Sequence, residues 1–155
     1  MTSTKSITKG ALRLLVDLGY APLTELPLSN GRRVDIAGLN KQGNVTIVEV
    51  KSSVADFRSD KKWTGYLDFC EAFYFAVDAS FPLDVFQEAK SMPDVTGIII
   101  ADAYGAEIVR PASERQLNAA RRKALTLKIA RAGAHRLAAN KLQRPWRAGS
   151  SLQRP

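Results

Sequence analysis

The chain is poor in the side chains that build zinc sites and nucleophilic triads. Its 155 residues include one cysteine, Cys70, and one histidine, His135. A single thiol forms no internal disulfide and no thiolate metal cluster, and His135 lies in a basic C-terminal segment. The composition therefore argues against a disulfide framework, a zinc site, and Cys/His or Ser/His catalysis.

Long apolar runs are also missing. The longest apolar stretches, such as residues 95–101, are far shorter than the roughly 20 residues that span a bilayer. Residues 1–9 are polar, and no apolar signal region follows them. We expect a soluble cytoplasmic protein with no membrane partner.

Acidic residues are almost absent from the last quarter of the chain. The net charge is +8, but residues 1–111 carry 12 Lys/Arg against 14 Asp/Glu, whereas residues 112–155 carry 11 Lys/Arg against Glu114 alone. A run of charge is usually a solvated face. The lack of acids here favours contact with a nucleic-acid backbone, with Arg121, Arg122 and Lys128 as candidate contacts.

The remaining composition, 45% hydrophobic and 25% charged, is that of one globular domain. The apolar periods predict a mixed α/β fold in which helices flank a sheet. The predicted helices are 6–18, 56–69 and about 113–138, and the predicted strands are 23–28, 33–39, 45–51, 72–77, 97–101 and 106–110.

The last of these helices is basic and should begin at Ser113, a plausible N-cap. Its apolar positions predict a core-facing stripe. The stripe consists of Leu117, Ala120, Ala124, Leu127, Ala130 or Arg131, Ala134 and Leu137. We assign residues 1–138 to the domain and expect residues 139–155 to be a basic, disordered tail.

Two charged residues share one face of the third strand. Residues two apart point the same way, so Glu49 and Lys51 project together, away from Val48 and Val50. Asp35 lies on the preceding strand, and its face depends on the hairpin register. A five-residue loop that pairs Leu39 with Val45 places Asp35 opposite Glu49, whereas a four-residue loop places it on the wrong face unless a bulge restores it.

Adjacent carboxylates repel each other unless a cation or a shared proton lies between them. Mg²⁺ is commonly bound by one or two carboxylates, with water and substrate phosphate completing its shell. A neighbouring lysine can orient or deprotonate the attacking water and stabilise charge on the phosphate. The tripeptide E-x-K alone is common by chance, and charged residues at the end of a strand are usually just solvated.

The wider pattern is more specific. A helix, three strands bearing D-x13-E-x-K at Asp35, Glu49 and Lys51, and then a helix and a strand resemble the αβββαβ core of PD-(D/E)xK nucleases, which have the restriction-endonuclease-like fold. The stretches TELPLSNGRRVDIAGL, VEVKSSVADFRSDKKWTGYLDFCEAFYFAV and ADAYGAEIVR resemble the MmcB DNA-repair family. The resemblance implies that Asp35 and Glu49 bind Mg²⁺ or Mn²⁺ and that Lys51 is the catalytic lysine.

Several further residues are candidates for accessory roles. Many members of the superfamily carry Gln, followed four residues later by Tyr, on the helix after E-x-K, and Lys62 and Tyr66 stand at that spacing. Some members also place an acidic residue on the first helix. Here that helix offers only Asp17, and Glu25 on the first strand is the better-placed candidate for an additional carboxylate. Arg32 and Arg33 follow the Asn-Gly turn and are candidate phosphate contacts.

The aromatic residues Trp63, Tyr66 and Phe69 could stack on bases, but their helical spacing beside a sheet favours core packing.

The leading functional hypothesis is metal-dependent phosphodiester hydrolysis on DNA in repair, by a Mg²⁺-dependent endodeoxyribonuclease. Its main rival is a catalytically inactive accessory protein that binds DNA structures. RNA processing is a weaker alternative, because nothing in the sequence would distinguish a 2′-hydroxyl. DNA is the expected partner, and a homodimer is left open.

Overall fold

A six-stranded mixed sheet forms the centre of the molecule. The computed structural model of the chain describes residues 2–143. The strands lie in sequential order, with β1–β2, β2–β3 and β5–β6 antiparallel and β3–β4 and β4–β5 parallel. They are β1 Ala21–Pro27, β2 Arg33–Leu39, β3 Val45–Val50, β4 Ala72–Val77, β5 Gly97–Ala101 and β6 Ala106–Arg110.

Helices cover the sheet, and the predicted αβββαβ order is confirmed. They are α1 Thr4–Asp17, α2 Val54–Ser59 and the C-terminal helix α3 Ala119–Leu142, with short 3-10 helices at Trp63–Phe69, Leu83–Gln87 and Ala89–Ser91. Within residues 2–143, every helix is too short or too polar to cross a bilayer.

Helix α1 covers one face of the sheet. Its N-terminus is capped by Ser3, whose hydroxyl accepts the Ser6 N–H. Ile7, Ala11 and Leu15 are buried in one cluster with residues that alternate along the central strands. This cluster includes Ile36, Val48, Val50, Ala76 and Ile99.

The opposite face of the sheet carries an aromatic core. Trp63 packs edge-on against Phe75 with ring centroids 5.0 Å apart, and Phe75 stacks on Phe86 at 5.3 Å. Tyr66 and Phe69 are also buried in this cluster. The core role predicted for Trp63, Tyr66 and Phe69 is confirmed.

The single helix predicted over residues 56–69 is wrong. The segment divides into α2, which ends at Ser59, and the 3-10 helix that begins at Trp63. Between them, the Asp60 carboxylate accepts the N–H groups of Lys62 and Trp63 at 2.8 and 3.2 Å. An aspartate that bonds nearby N–H groups in this way forms a turn that competes with continuing the helix.

The predicted start of the last helix is also wrong. Its N-cap is Asn118, whose side chain accepts the Arg121 N–H. Ser113 instead donates its hydroxyl to the carbonyl of Asp94. The helix continues through Leu142, so residues 139–142 of the predicted tail are helical, while residues 144–155 lie outside the described part of the chain.

The face of α3 that meets the core differs from the predicted stripe. Leu125, Ile129 and Ala132 are buried, whereas Leu127 and Leu137 are 54% and 74% exposed. Apolar residues occur on both sides of this helix, so the apolar period alone does not fix its rotation about its axis. The rotation is fixed by contacts of Arg121 with the Asp68 carbonyl and of Arg122 with Glu71.

Candidate metal-binding and catalytic site

The β2–β3 register decides where Asp35 lies. Leu39 pairs with Val45 and Ile36 with Val48 across a five-residue loop, so Asp35 falls opposite Glu49. Of the two registers considered, the five-residue loop is confirmed, and no bulge is needed. Glu49 and Lys51 share the sheet face opposite α1, because Val48 and Val50 pack against α1.

The ladder between β2 and β3 opens at this point, and side chains replace backbone partners. The last regular pair is Ile36 with Val48. Beyond it, the Asp35 N–H donates to Glu49 Oε1 at 2.8 Å, and the Val50 N–H donates to Asp35 Oδ2 at 2.8 Å. Each carboxylate therefore bonds the opposite strand through one oxygen and retains a second oxygen for another ligand.

Burial and mutual repulsion disfavour the ionised carboxylates. Glu49 is 5% exposed, and desolvation together with the charge of Asp35 raises its pKa to about 8. Desolvation also raises the pKa of Asp35, despite the opposing effects of the Val50 N–H and the Lys51 charge. Each carboxylate accepts a backbone N–H from the strand that carries the other, which places the two carboxyl groups side by side across the β2–β3 pair.

Lys51 is buried beside this pair and is bound by an acid that the sequence analysis missed. Its Nζ lies 2.6 Å from Asp60 Oδ2, with the two side chains 6% and 17% exposed. Burial alone would raise the pKa of Asp60, but the hydrogen bonds from Lys51 and Lys62 outweigh it and lower that pKa. The turn-forming tendency of aspartate is the sequence signal that could have identified Asp60 as a break in the helical pattern.

Tyr66 reaches the edge of the site, and the Lys62 side chain points to solvent. The Tyr66 hydroxyl donates to the Arg33 carbonyl at 3.0 Å, and burial together with the nearby charges of Glu49 and Asp60 raises its pKa to about 12. Lys62 is exposed, and its carbonyl accepts Arg32 Nη1 at 3.2 Å. Arg33 is exposed.

Glu25 adds no third carboxylate. It lies on β1 at the level of Asp35 on β2, but the regular β1–β2 pairing passes from Thr24 to Leu26 and skips Glu25. The φ angle of Glu25 is 51°, in the left-handed region. Its exposed carboxylate is 4.0 Å from Arg33 Nη2. Among residues 2–143, no three His, Cys, Asp or Glu side chains form a group that could hold a metal ion.

The candidate DNA contacts on α3 mostly bind other residues of the domain. Arg121 Nη1 donates to the Asp68 carbonyl at 3.2 Å, and its guanidinium lies 4.5 Å from the centre of the Phe69 ring. Arg122 Nε is 3.2 Å from Glu71 Oε1. Lys128 is half-buried. DNA contact by these three residues stays a prediction, and the exposed cations of the helix include Lys123, Arg131 and Lys141.

The Asp35–Glu49 pair fits a hard divalent cation. Mg²⁺ requires oxygen ligands and is often bound by only one or two carboxylates. Asp35 Oδ1 and Glu49 Oε2 are the oxygens not used in the two backbone bonds. A cation between them would offset the burial and the repulsion that together raise the pKa of Glu49.

The order of helices and strands, with the carboxylate pair on β2 and β3, defines an α/β domain whose six-stranded mixed sheet is flanked by helices. The chain belongs to the MmcB-like family of DNA repair proteins, whose family model matches residues 2–144.

Two solved structures are similar to the chain, and the first of them has the same fold. The chain is similar to SPO1766, a protein of unknown function from Silicibacter pomeroyi, at 39% identity and a TM-score of 0.81, covering 99% of both chains. A repair endonuclease from Pyrococcus abyssi is similar at 16% identity and a TM-score of 0.47 over 66% of this chain and 48% of that one. That second likeness is too distant to bear on function. No curated protein matches the chain.

The raised pKa of Glu49 predicts a pH-dependent stability. The carboxyl titrates near 4.5 in the unfolded chain and near 8 in the fold, so between these values the folded protein keeps a proton that the unfolded chain has lost. The free energy of unfolding should therefore fall as pH rises through this window, by at most about 1.4 kcal/mol per pH unit, and level off above it.

We expect Glu49→Gln to reduce the slope of unfolding free energy against pH. The free energy of unfolding of the variant, relative to that of wild type, should therefore increase from pH 4.5 to pH 8. Urea unfolding in the presence of a chelator measures the difference. Glu107→Gln, at an exposed position on β6, is the matched control and should leave the slope unchanged. Parallel wild-type and Glu49→Gln profiles would contradict the assignment.

Proposed function

We propose that the protein is a metal-dependent DNA endonuclease of DNA repair. Asp35 and Glu49 are the proposed cation ligands, and Lys51 is the proposed catalytic lysine. The observation that carries the proposal is the pair of half-buried Asp35 and buried Glu49 at the opening of the β2–β3 ladder, with buried Lys51 two residues beyond Glu49. Membership of a DNA-repair family supplies the context.

Each part of the site has a role in hydrolysis of a phosphodiester. A bound Mg²⁺ or Mn²⁺ would polarise the phosphate and lower the pKa of the attacking water. Asp35 and Glu49 hold the cation position through their second oxygens. The Lys51 ammonium stabilises negative charge that develops on the phosphate, and its burial strengthens that interaction because little water screens it.

Exposed cations near the site support DNA as the substrate. Arg33, Lys61 and Lys62 are exposed and lie on two segments that contact each other beside the acidic pair. The Tyr66 and Arg32 bonds described above hold these segments together. A phosphate backbone could contact these three cations while one phosphate reaches the cation position between Asp35 and Glu49.

One observation favours the rival function, an inactive accessory protein that binds DNA structures. Lys51 already has a short ion pair with Asp60, so its charge is partly neutralised before any substrate binds. The two functions differ in whether DNA is cut. A cleavage assay with Mg²⁺ or Mn²⁺ on nicked, flapped, branched and crosslinked DNA separates them.

Substitutions at the site should separate cation binding from turnover. Asp35→Asn and Glu49→Gln remove charge from the cation position, so both should lose Mn²⁺ affinity and cleavage together. Lys51→Ala should keep or strengthen Mn²⁺ binding but slow cleavage by about 10² to 10⁴-fold. Calorimetry measures the first effect and single-turnover cleavage the second. A Lys51→Ala variant that cuts at the wild-type rate would favour the accessory function.

The exposed lysines near the site should contribute to the salt dependence of DNA binding. Replacing Lys61 and Lys62 together by Ala should reduce the slope of log affinity against log salt by up to about two. The matched control replaces Lys5 and Lys9 on α1, which are exposed on the opposite face of the sheet. Fluorescence anisotropy at several salt concentrations compares the two. Equal losses in both double variants would show that the site does not face the DNA.

A further inference from the structure

We infer that Asp60 is a positioning residue that holds the Lys51 ammonium away from the second oxygens of Asp35 and Glu49. The inference deepens the proposed function and rests on it for the roles of the other three residues. Among residues 2–143, Asp60 Oδ2 accepts the one hydrogen bond that the structure shows for Lys51 Nζ, at 2.6 Å. Both side chains are largely withdrawn from solvent.

The two oxygens of Asp60 have separate partners. Oδ1 accepts the N–H groups of Lys62 and Trp63, and Oδ2 binds Lys51. Trp63 is buried, and its ring contacts Phe75 in the aromatic core. The carboxylate is therefore fixed to a rigid part of the domain through one oxygen, and it presents the other to the lysine.

This arrangement matters because Asp60 shares this side of the sheet with two other acids. Lys51 projects on the same face as Glu49, which is two residues before it, and Asp35 lies opposite Glu49 on β2. Without Asp60, a flexible lysine would pair with these carboxylates and occupy the position that a cation requires. With Asp60 present, the ammonium stays beside the site, where it can contact a phosphate, and the second carboxylate oxygens remain available.

The simpler interpretation is that Asp60 only ends α2. Asp60→Asn distinguishes the two, because its amide oxygen can still accept the Lys62 and Trp63 N–H groups while the charge facing Lys51 is lost. Asp60→Ser also keeps an acceptor for the turn and serves as a second variant if the asparagine protein unfolds. Thermal unfolding of both variants checks the fold.

The test is a double-mutant cycle of Asp60→Asn with Lys51→Met, in which Mn²⁺ affinity is measured by electron paramagnetic resonance. We expect Asp60→Asn to weaken Mn²⁺ binding by about tenfold in wild type, but by less than about twofold when Lys51 is already Met. Asp56→Asn is the matched control, because Asp56 is an exposed acid of the same segment whose carboxylate accepts the Ser52 N–H and not the Lys51 ammonium. It should have the same small effect in both backgrounds.

Cleavage supplies the second readout. Asp60→Asn should lower kcat by about 10²-fold with little change in KM, and should cause no further loss in the Lys51→Met protein. Equal effects of Asp60→Asn in both backgrounds, or no effect on Mn²⁺ affinity, would overturn the inference alone. A coupled Mn²⁺ cycle without any cleavage by wild type would overturn the proposed reaction and leave the inference standing. A wild-type protein that binds no Mn²⁺ would overturn both.

Discussion

The register between β2 and β3 is the constraint on which the site depends. Pairing Leu39 with Val45 brings Asp35 opposite Glu49, and a shift of one residue would turn Asp35 toward α1. The opened ladder then lets each carboxylate bond the backbone of the opposite strand. Burial makes two charges at this point unfavourable, so the same geometry that builds the pair also gives it affinity for a proton or a cation.

The basic residues near the acidic pair are not the ones that the charge distribution of the sequence suggests. Arg121 and Arg122 lie in the acid-poor segment, yet both attach α3 to the domain. Arg121 donates a hydrogen bond to the Asp68 carbonyl, and Arg122 forms an ion pair with Glu71. The exposed cations Arg33, Lys61 and Lys62 near the acidic pair instead belong to the nearly neutral part of the chain. Total charge is therefore a poor guide to the surface that would meet DNA.

Local patterns predicted most of the sheet but not the contacts that depend on tertiary structure. Strands β2, β4, β5 and β6 have the predicted bounds, because each is a short apolar run between turn residues. The rotation of α3 was not predictable from period alone, since Leu125 and Leu127 fit apolar stripes on opposite sides. The ion pair of Asp60 with Lys51 was not predictable for a related reason, because Lys51 directly follows β3 and meets Asp60 only in the fold.

The claim that the Asp35–Glu49 pair is a cation site is tested most directly by anomalous diffraction from a crystal of the wild-type protein grown with Mn²⁺. The account predicts one strong anomalous peak between the two carboxylates, about 2.0 to 2.3 Å from an oxygen of each. A well-ordered structure at millimolar Mn²⁺ with no peak there, and with the Lys51 ammonium bound directly to both carboxylates, would contradict it.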